Sequence, residues 1–223
     1  MTMPMIALLV PLALAALCAV APRAIASESP LRVVTVGGRA EVALPGAPGW
    51  TAARIRTEVG SGGAARTQRG RLTLMTGSGQ ALRLAGISQV TLPESGASDL
   101  PTRVRLDAGT VWAAVLPGTP PKEQIEVQTS VASVLVGAGG TEITAGRDGT
   151  TIVRVFHGKA GCTGVGAAQW SRILVDGQEL LIPPTGQPGP ATKIDRDKIN
   201  ADWTTWNDEQ DVAGGFRVAP PPK

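Results

Sequence analysis

The chain has 223 residues, 28 of them Gly and 18 Pro, a punctuated composition that excludes a long-helix bundle or coiled coil and favours short elements. Its 21 basic and 18 acidic side chains leave +3, too balanced for a general polyanion binder, so nucleic acid is not expected as a partner. One His and two Cys leave too few ligands for a His/Cys zinc or iron–sulfur site.

In chain order the first element is an apolar run over residues 3–22, followed by Ala24-Ile25-Ala26, the small-x-small pattern of a cleavable export signal. The reading is a signal peptide over 1–26, a mature chain beginning at Ser27, and a periplasmic or secreted location. No Lys or Arg precedes the run, and about 20 apolar residues also suffice to span a bilayer, so an uncleaved anchor stays open as the alternative. Cleavage removes Cys18 and leaves Cys162 the only thiol of the mature chain, which then has no intramolecular disulfide.

Residues 27–182 alternate apolar and polar side chains in short runs broken by Gly, Pro and Asp. Leu31 to Val36, Ala40 to Leu44, Arg71 to Met75, Ala81 to Leu84, Arg103 to Leu106, Thr110 to Leu116, Ile125 to Thr129 and Thr150 to Phe156 are examples. Period-2 alternation at such spacing predicts an all-β domain of stacked short strands, solenoid-like or sandwich-like. Gly77-Ser78-Gly79 is expected to turn Leu72/Leu74 back against Leu82/Leu84.

Residues 183–190, Pro183 to Pro190, form a Pro/Gly linker. Within 191–211, Ile199, Trp203 and Trp206 fall at i, i+4 and i+7, which predicts one short C-terminal amphipathic helix from about Asp195 to Glu209, capped by Thr192 or Asp195. Its polar back is acidic: Asp195, Asp197, Asp202, Asp208, Glu209 and Asp211 against Lys193, Arg196 and Lys198. The tryptophan stripe is expected to pack on the β domain or, alternatively, to receive a partner. Residues 212–223 read as a disordered tail.

Several of these segments carry a family pattern. Leu106-Asp107-Ala108-Gly109-Thr110-Val111, Ile125-Glu126-Val127-Gln128-Thr129, Gly140-Thr141-Glu142-Ile143 and Asp148 to Gly158 follow in order, after Leu72-Thr73-Leu74, Gly77-Ser78 and Leu82-Arg83-Leu84. In order and spacing they resemble the FecR domain, an exported β domain best known from iron-uptake regulators, over roughly Val33 to Ile182. The resemblance implies a β fold and a protein-contacting module of the bacterial envelope. Two departures stand out: Gly139 occupies the place of the family's Arg before the Gly-Thr pair, and 26 residues ahead of Ser27 do not accommodate the cytoplasmic anti-sigma segment and membrane helix of the regulators.

Catalytic chemistry finds little support. His157 and Cys162 stand five apart, on opposite faces of an extended segment, and read as a polar turn residue and a small buried thiol. No G-x-S-x-G elbow surrounds a serine, and Gly137-Ala138-Gly139-Gly140 lacks the phosphate-loop spacing and reads as a turn or bulge between strands. The expectation is a non-enzymatic interaction module with no catalytic residue, cofactor or metal. Its protein partner is expected at Ile199, Trp203 and Trp206 of the helix or at the basic stretch Arg54, Arg56, Arg66, Arg69 and Arg71. The alternative is a carbohydrate or envelope-polymer binder stacking sugars on Trp50, Trp112 or Trp170.

Overall fold

A computed structural model of the chain describes residues 30–94, 101–167 and 169–217; the expected signal segment and the last residues of the tail lie outside them. The described chain is mostly strand: β1 (Leu31–Ala43), β2 (Thr51–Ala52), β3 (Glu58–Val59), β4 (Ala64–Met75), β5 (Ala81–Leu84), β6 (Gln89–Thr91), β7 (Thr102–Val115), β8 (Ile125–Gln128), β9 (Ala132–Ala145), β10 (Thr151–Gly164), β11 (Ser171–Val175), β12 (Gln178–Ile182) and β13 (Thr192–Lys193). A single α-helix, α1 (Ala201–Ala213), closes it. The all-β class with one short C-terminal helix is therefore the observed one.

These strands form one sheet in the order β13-β12-β10-β9-β8-β7-β5-β4-β1-β2, with β11 on β10, β3 on β1, and β6 between β4 and β7. Only β7 and β8 run parallel. The long strands change partners along their length. β7 pairs β6 and β8 with its first half and β5 and β9 with its second, while β10 pairs β12 first and β11 later. The sheet thereby folds around one core in which Leu72, Leu74, Leu82 and Leu84, from the expected hairpin, meet Val111, Val127, Ile143, Val153 and Leu180.

Strands β1, β4, β7, β9 and β10 are longer than the alternation suggests, because glycines that read as turns lie inside them. Gly139 and Gly158 face each other across β9 and β10 with φ of 119° and 87°. A Cβ on Gly158 would stand 1.7 Å from Ala138 O. Glycine at this crossing lets two backbones touch and bend together without ending either strand. Gly137 to Gly140 is thus mid-strand, not a connection between strands.

The same crossing re-aims one side chain. Val153 and Val155 point into the core and Arg154 away from it, so strict alternation would turn His157 inward. The register shifts between Val155 and His157; Phe156 is the extra residue of a bulge, and His157 joins it on the outer face. That face, lined by Arg83, Trp112, Gly140, Glu142 and Phe156, is where α1 docks.

Candidate functional site

Helix α1 begins six residues later than the periodicity suggests. Asn200 is its N-cap, its side-chain oxygen accepting the Trp203 N–H, while Asp195 caps only the 3-10 turn Arg196–Lys198. Ile199 precedes the helix. The buried residues of α1 are Trp203, Asn207 and Asp211, spaced by four, so the face against the sheet is one aromatic and two polar groups rather than an Ile/Trp stripe. Asp211, assigned above to the solvated acidic back, is fully buried.

Asp211 gathers groups from three strands. Arg83 Nη1 of β5 donates to its Oδ1 at 2.5 Å, and the Trp112 indole N–H of β7 donates to Oδ2 at 2.9 Å. His157 Nε2 of β10 stands 3.0 Å from Oδ2 but off the axis of an aligned hydrogen bond. Arg83 also reaches Asn207 Oδ1 at 3.3 Å, and Asn207 Nδ2 returns a bond to Trp203 O. His157 is therefore no turn residue: it is mid-strand, 8% exposed, beside Trp112 at 6.2 Å between ring centroids.

Gly140 is the floor of this cluster. A Cβ there would come within 2.5 Å of Asp211 Oδ2 and 2.6 Å of His157 Cε1, so the glycine of the Gly140-Thr141 pair makes room for the helix carboxylate. Aromatic packing surrounds the charges. Trp112 stacks on Phe156 at 4.8 Å, Trp203 on Trp206 at 5.5 Å, and Phe216 is buried beside Trp112. Phe216 lies in the stretch read as disordered; its N–H bonds Asp211 O, which ties the first tail residues to the helix end.

Toward the N-terminus of α1 a second charged group is buried. Arg154 bridges Glu142 at 2.7 Å and Glu179. Burial pushes the Glu142 carboxyl above its ordinary value, against the opposing pull of Arg154 and of the Trp203 indole. Burial also works against the Arg154 charge, but the two carboxylates outweigh it and hold that group above its usual range.

The expected basic surface divides. Arg71 lies 4.8 Å over Trp206, and Arg66 stacks on Trp50 at 4.2 Å and bridges Glu41 at 2.7 Å, which lowers that carboxyl. Both are engaged within the chain, as are Trp203 and Trp206. Arg54, Arg56 and Arg69 stay exposed. Arg69 lines a groove of about 550 Å³ with Arg39, Thr67, Gln68 and Ile87, and also a neighbouring one of about 540 Å³ that reaches Glu142, Arg154, Lys198 and Trp203.

Ile87 stands between the two grooves and was not singled out by sequence. It is 65% exposed with φ of 60°, a conformation that a β-branched residue adopts only under constraint. The constraint is visible: Thr67 Oγ1 accepts the Ser88 N–H and donates toward Ala85 O, and Ser88 Oγ bonds both N–H and O of Thr110. A fully paired buried clamp thus presents an apolar side chain to solvent.

The remaining candidates are accounted for by packing. Cys162 points into the core, where burial pushes its thiol up to about 12, so it is protonated at neutral pH. Trp112 is fully buried, and the half-buried Trp170 donates its indole N–H to Gly186 O at 2.7 Å. Arg66 covers one face of the half-buried Trp50, so of the three tryptophans Trp112 alone is sealed from solvent.

Compared with known families, residues 53–161 match the model of FecR protein. Over that stretch the chain is similar to a FecR domain. The match starts before β3 and ends within β10, narrower than the segment from Val33 to Ile182 that carries the sequence resemblance; the Gly140 floor and His157 lie inside it, whereas α1 lies beyond it. Among solved structures, two crystal structures of a "putative anti-sigma factor" from Parabacteroides distasonis, at 2.50 and 1.65 Å resolution, are similar at 18% identity and a TM-score of 0.51. The likeness covers 65% of this chain and 63% and 64% of theirs. It establishes a shared fold, and the chain spans a little under two thirds of the length of those proteins. No curated protein matches the chain.

Proposed function

We propose that the protein is an exported, non-enzymatic FecR-domain module of the bacterial envelope that binds a protein partner and serves a regulatory signalling role. Iron-uptake-type signalling is the setting that the family suggests. The FecR match over residues 53–161 is the observation that carries this reading. The fold shared with proteins described as anti-sigma factors is in keeping with it.

The contact surface follows from what α1 leaves uncovered. Trp203, Trp206, Arg66 and Arg71 are engaged in cis, so partner contact falls to the grooves around Ile87 with Arg39 and Arg69 at their rim. An apolar anchor displayed between cations suits a partner segment that pairs an aliphatic side chain with carboxylates. A photo-crosslinking residue placed at position 87, and in a second variant at Arg69, tests this in cells, with position 55 as an exposed control. A discrete protein adduct at 87 and 69 but not at 55 is expected. Adducts at all three, or at 55 alone, defeat the assignment.

A further inference from the structure

Of the exposed large hydrophobic side chains among the described residues, Val165, Ile173, Val175 and Leu181 collect on and beside β11 and β12. Ile173 is 73% exposed, the most of any of them. Strand β11 pairs only with β10, so its other edge has no strand partner among the described residues. The Gly164 N–H bonds Trp170 O, which fixes the alternation: residues 172 and 174 bond β10, while the backbone groups of Ser171, Ile173 and Val175 face outward. The Val175 N–H is held by the Gln178 side chain; Ile173 carries no such cover. An open edge with aliphatic side chains beside it is a template for another strand.

The sequence of that edge is complementary to itself. When two copies of Arg172-Ile173-Leu174-Val175-Asp176 run antiparallel with Leu174 opposite Leu174, Ile173 of each copy faces Val175 of the other, and Arg172 faces Asp176. The first pairing joins apolar side chains on the outer face and lets the free backbone groups of Ile173 bond across. The second sets opposite charges against each other at both ends of the strand. Each contact is favourable for a cross-strand pair, and a shift by two residues places Arg172 opposite Leu174 instead.

We propose that two copies of the chain associate through β11 in this register, joining their sheets across a two-fold axis at Leu174. A five-residue edge buries less than the roughly 1,600 Å² of a standard interface, so the association is weak and concentration-dependent. It leaves the Ile87 grooves outside the pairing strands and does not depend on the partner reading given above.

Sedimentation velocity over a wide concentration range, on the protein in the form that cells accumulate, reads the association directly. The parent is expected to pass from monomer to dimer. Ile173→Lys should raise the dissociation constant about tenfold or more, by setting a charge in the apolar pair. Arg172→Asp and Asp176→Arg should each weaken the homodimer, and a mixture of the two variants should restore a dimer that neither forms alone. Asp176 accepts the Gly158 N–H; if Asp176→Arg fails to fold in a thermal melt, the Ile173→Lys and Arg172→Asp variants decide. A parent that stays monomeric throughout, or a dimer unchanged by Ile173→Lys and Arg172→Asp, overturns the proposal.

Discussion

Replacing Asp211 by Ala should release helix α1 from the sheet while the sheet itself persists. The substitution strips the buried Arg83 guanidinium, 3% exposed, of its carboxylate, and breaking one side of a buried ion pair costs about 3–5 kcal/mol. It also leaves the Trp112 N–H without its acceptor, a further loss of about 1–3 kcal/mol if the group remains buried. Against this stands the weak autonomy of α1: a 13-residue helix is marginal in water on its own, so its order rests on docking. A loss of this size is comparable to what burial of Trp203 and Phe216 contributes, and hydration of Arg83 on release tips the balance. The chain therefore responds by undocking, which hydrates Arg83 and limits the global loss.

Hydrogen exchange measured segment by segment separates these events. Amides of Ala201–Ala213 should lose protection in Asp211→Ala, whereas those of β9 and β10 keep most of theirs. Asp211→Asn keeps an acceptor for Trp112 but not the charge for Arg83, and should fall between parent and Ala. If Asp211→Ala keeps α1 protected to within about 1 kcal/mol of the parent, the polar cluster is not what holds the helix.

Gly140→Ala should produce the same undocking by crowding Asp211 and His157, at a cost of about 1–3 kcal/mol, and exchange over α1 reports it. Trp203→Ala should cost about 3–5 kcal/mol as loss of a buried Trp, with half-buried Trp206 costing less; a denaturant titration compares them. Arg154→Met should cost about 3–5 kcal/mol at neutral pH by leaving Glu142 uncompensated, and Glu142→Gln much less. The Glu142 carboxyl is raised in the folded protein, so its favourable contribution is complete below the ordinary 4.5 and is lost as pH rises through the folded value. The Arg154→Met deficit should therefore shrink as pH is lowered toward 4.5, which thermal melts across pH will show. Ile87→Gly should leave the fold as stable as the parent or more so, because glycine accepts a φ of 60° without strain, yet it should abolish the partner adduct formed from position 69.

Much of the β domain was legible from period-2 alternation, and the Leu72/Leu74 and Leu82/Leu84 hairpin lies where its glycines suggest. What alternation could not see was continuity. Gly38, Gly109, Gly139 and Gly158 carry the turn signal of glycine, yet each sits inside a long strand at positive φ. A turn and a mid-strand bend make the same local demand on the backbone and differ only in what the next strand does. The His157 site was hidden for that reason, since the bulge that re-aims it depends on the pairing of β9 with β10.

The helix was misjudged for a different reason, which bears on how the molecule works. Hydrophobic periodicity ranks Ile199, Trp203 and Trp206 above Asn207 and Asp211, because it assumes that docking buries apolar groups. Here the sheet surface presents Arg83, an indole N–H and His157, so the complementary helix face must carry acceptors. The spacing of Trp203, Asn207 and Asp211 by four was present in the sequence, but only the electrostatics of the facing surface identifies it as the buried stripe. Such docking is selective rather than merely adhesive: a greasy helix could slide along the sheet, whereas Asp211 has one place where the Arg83 and Trp112 donors converge and where Gly140 leaves it room. The same dependence makes α1 sensitive to any contact that draws Arg83 or Asp211 away, so the helix is held in one position and is also the element that the fewest side-chain changes can release.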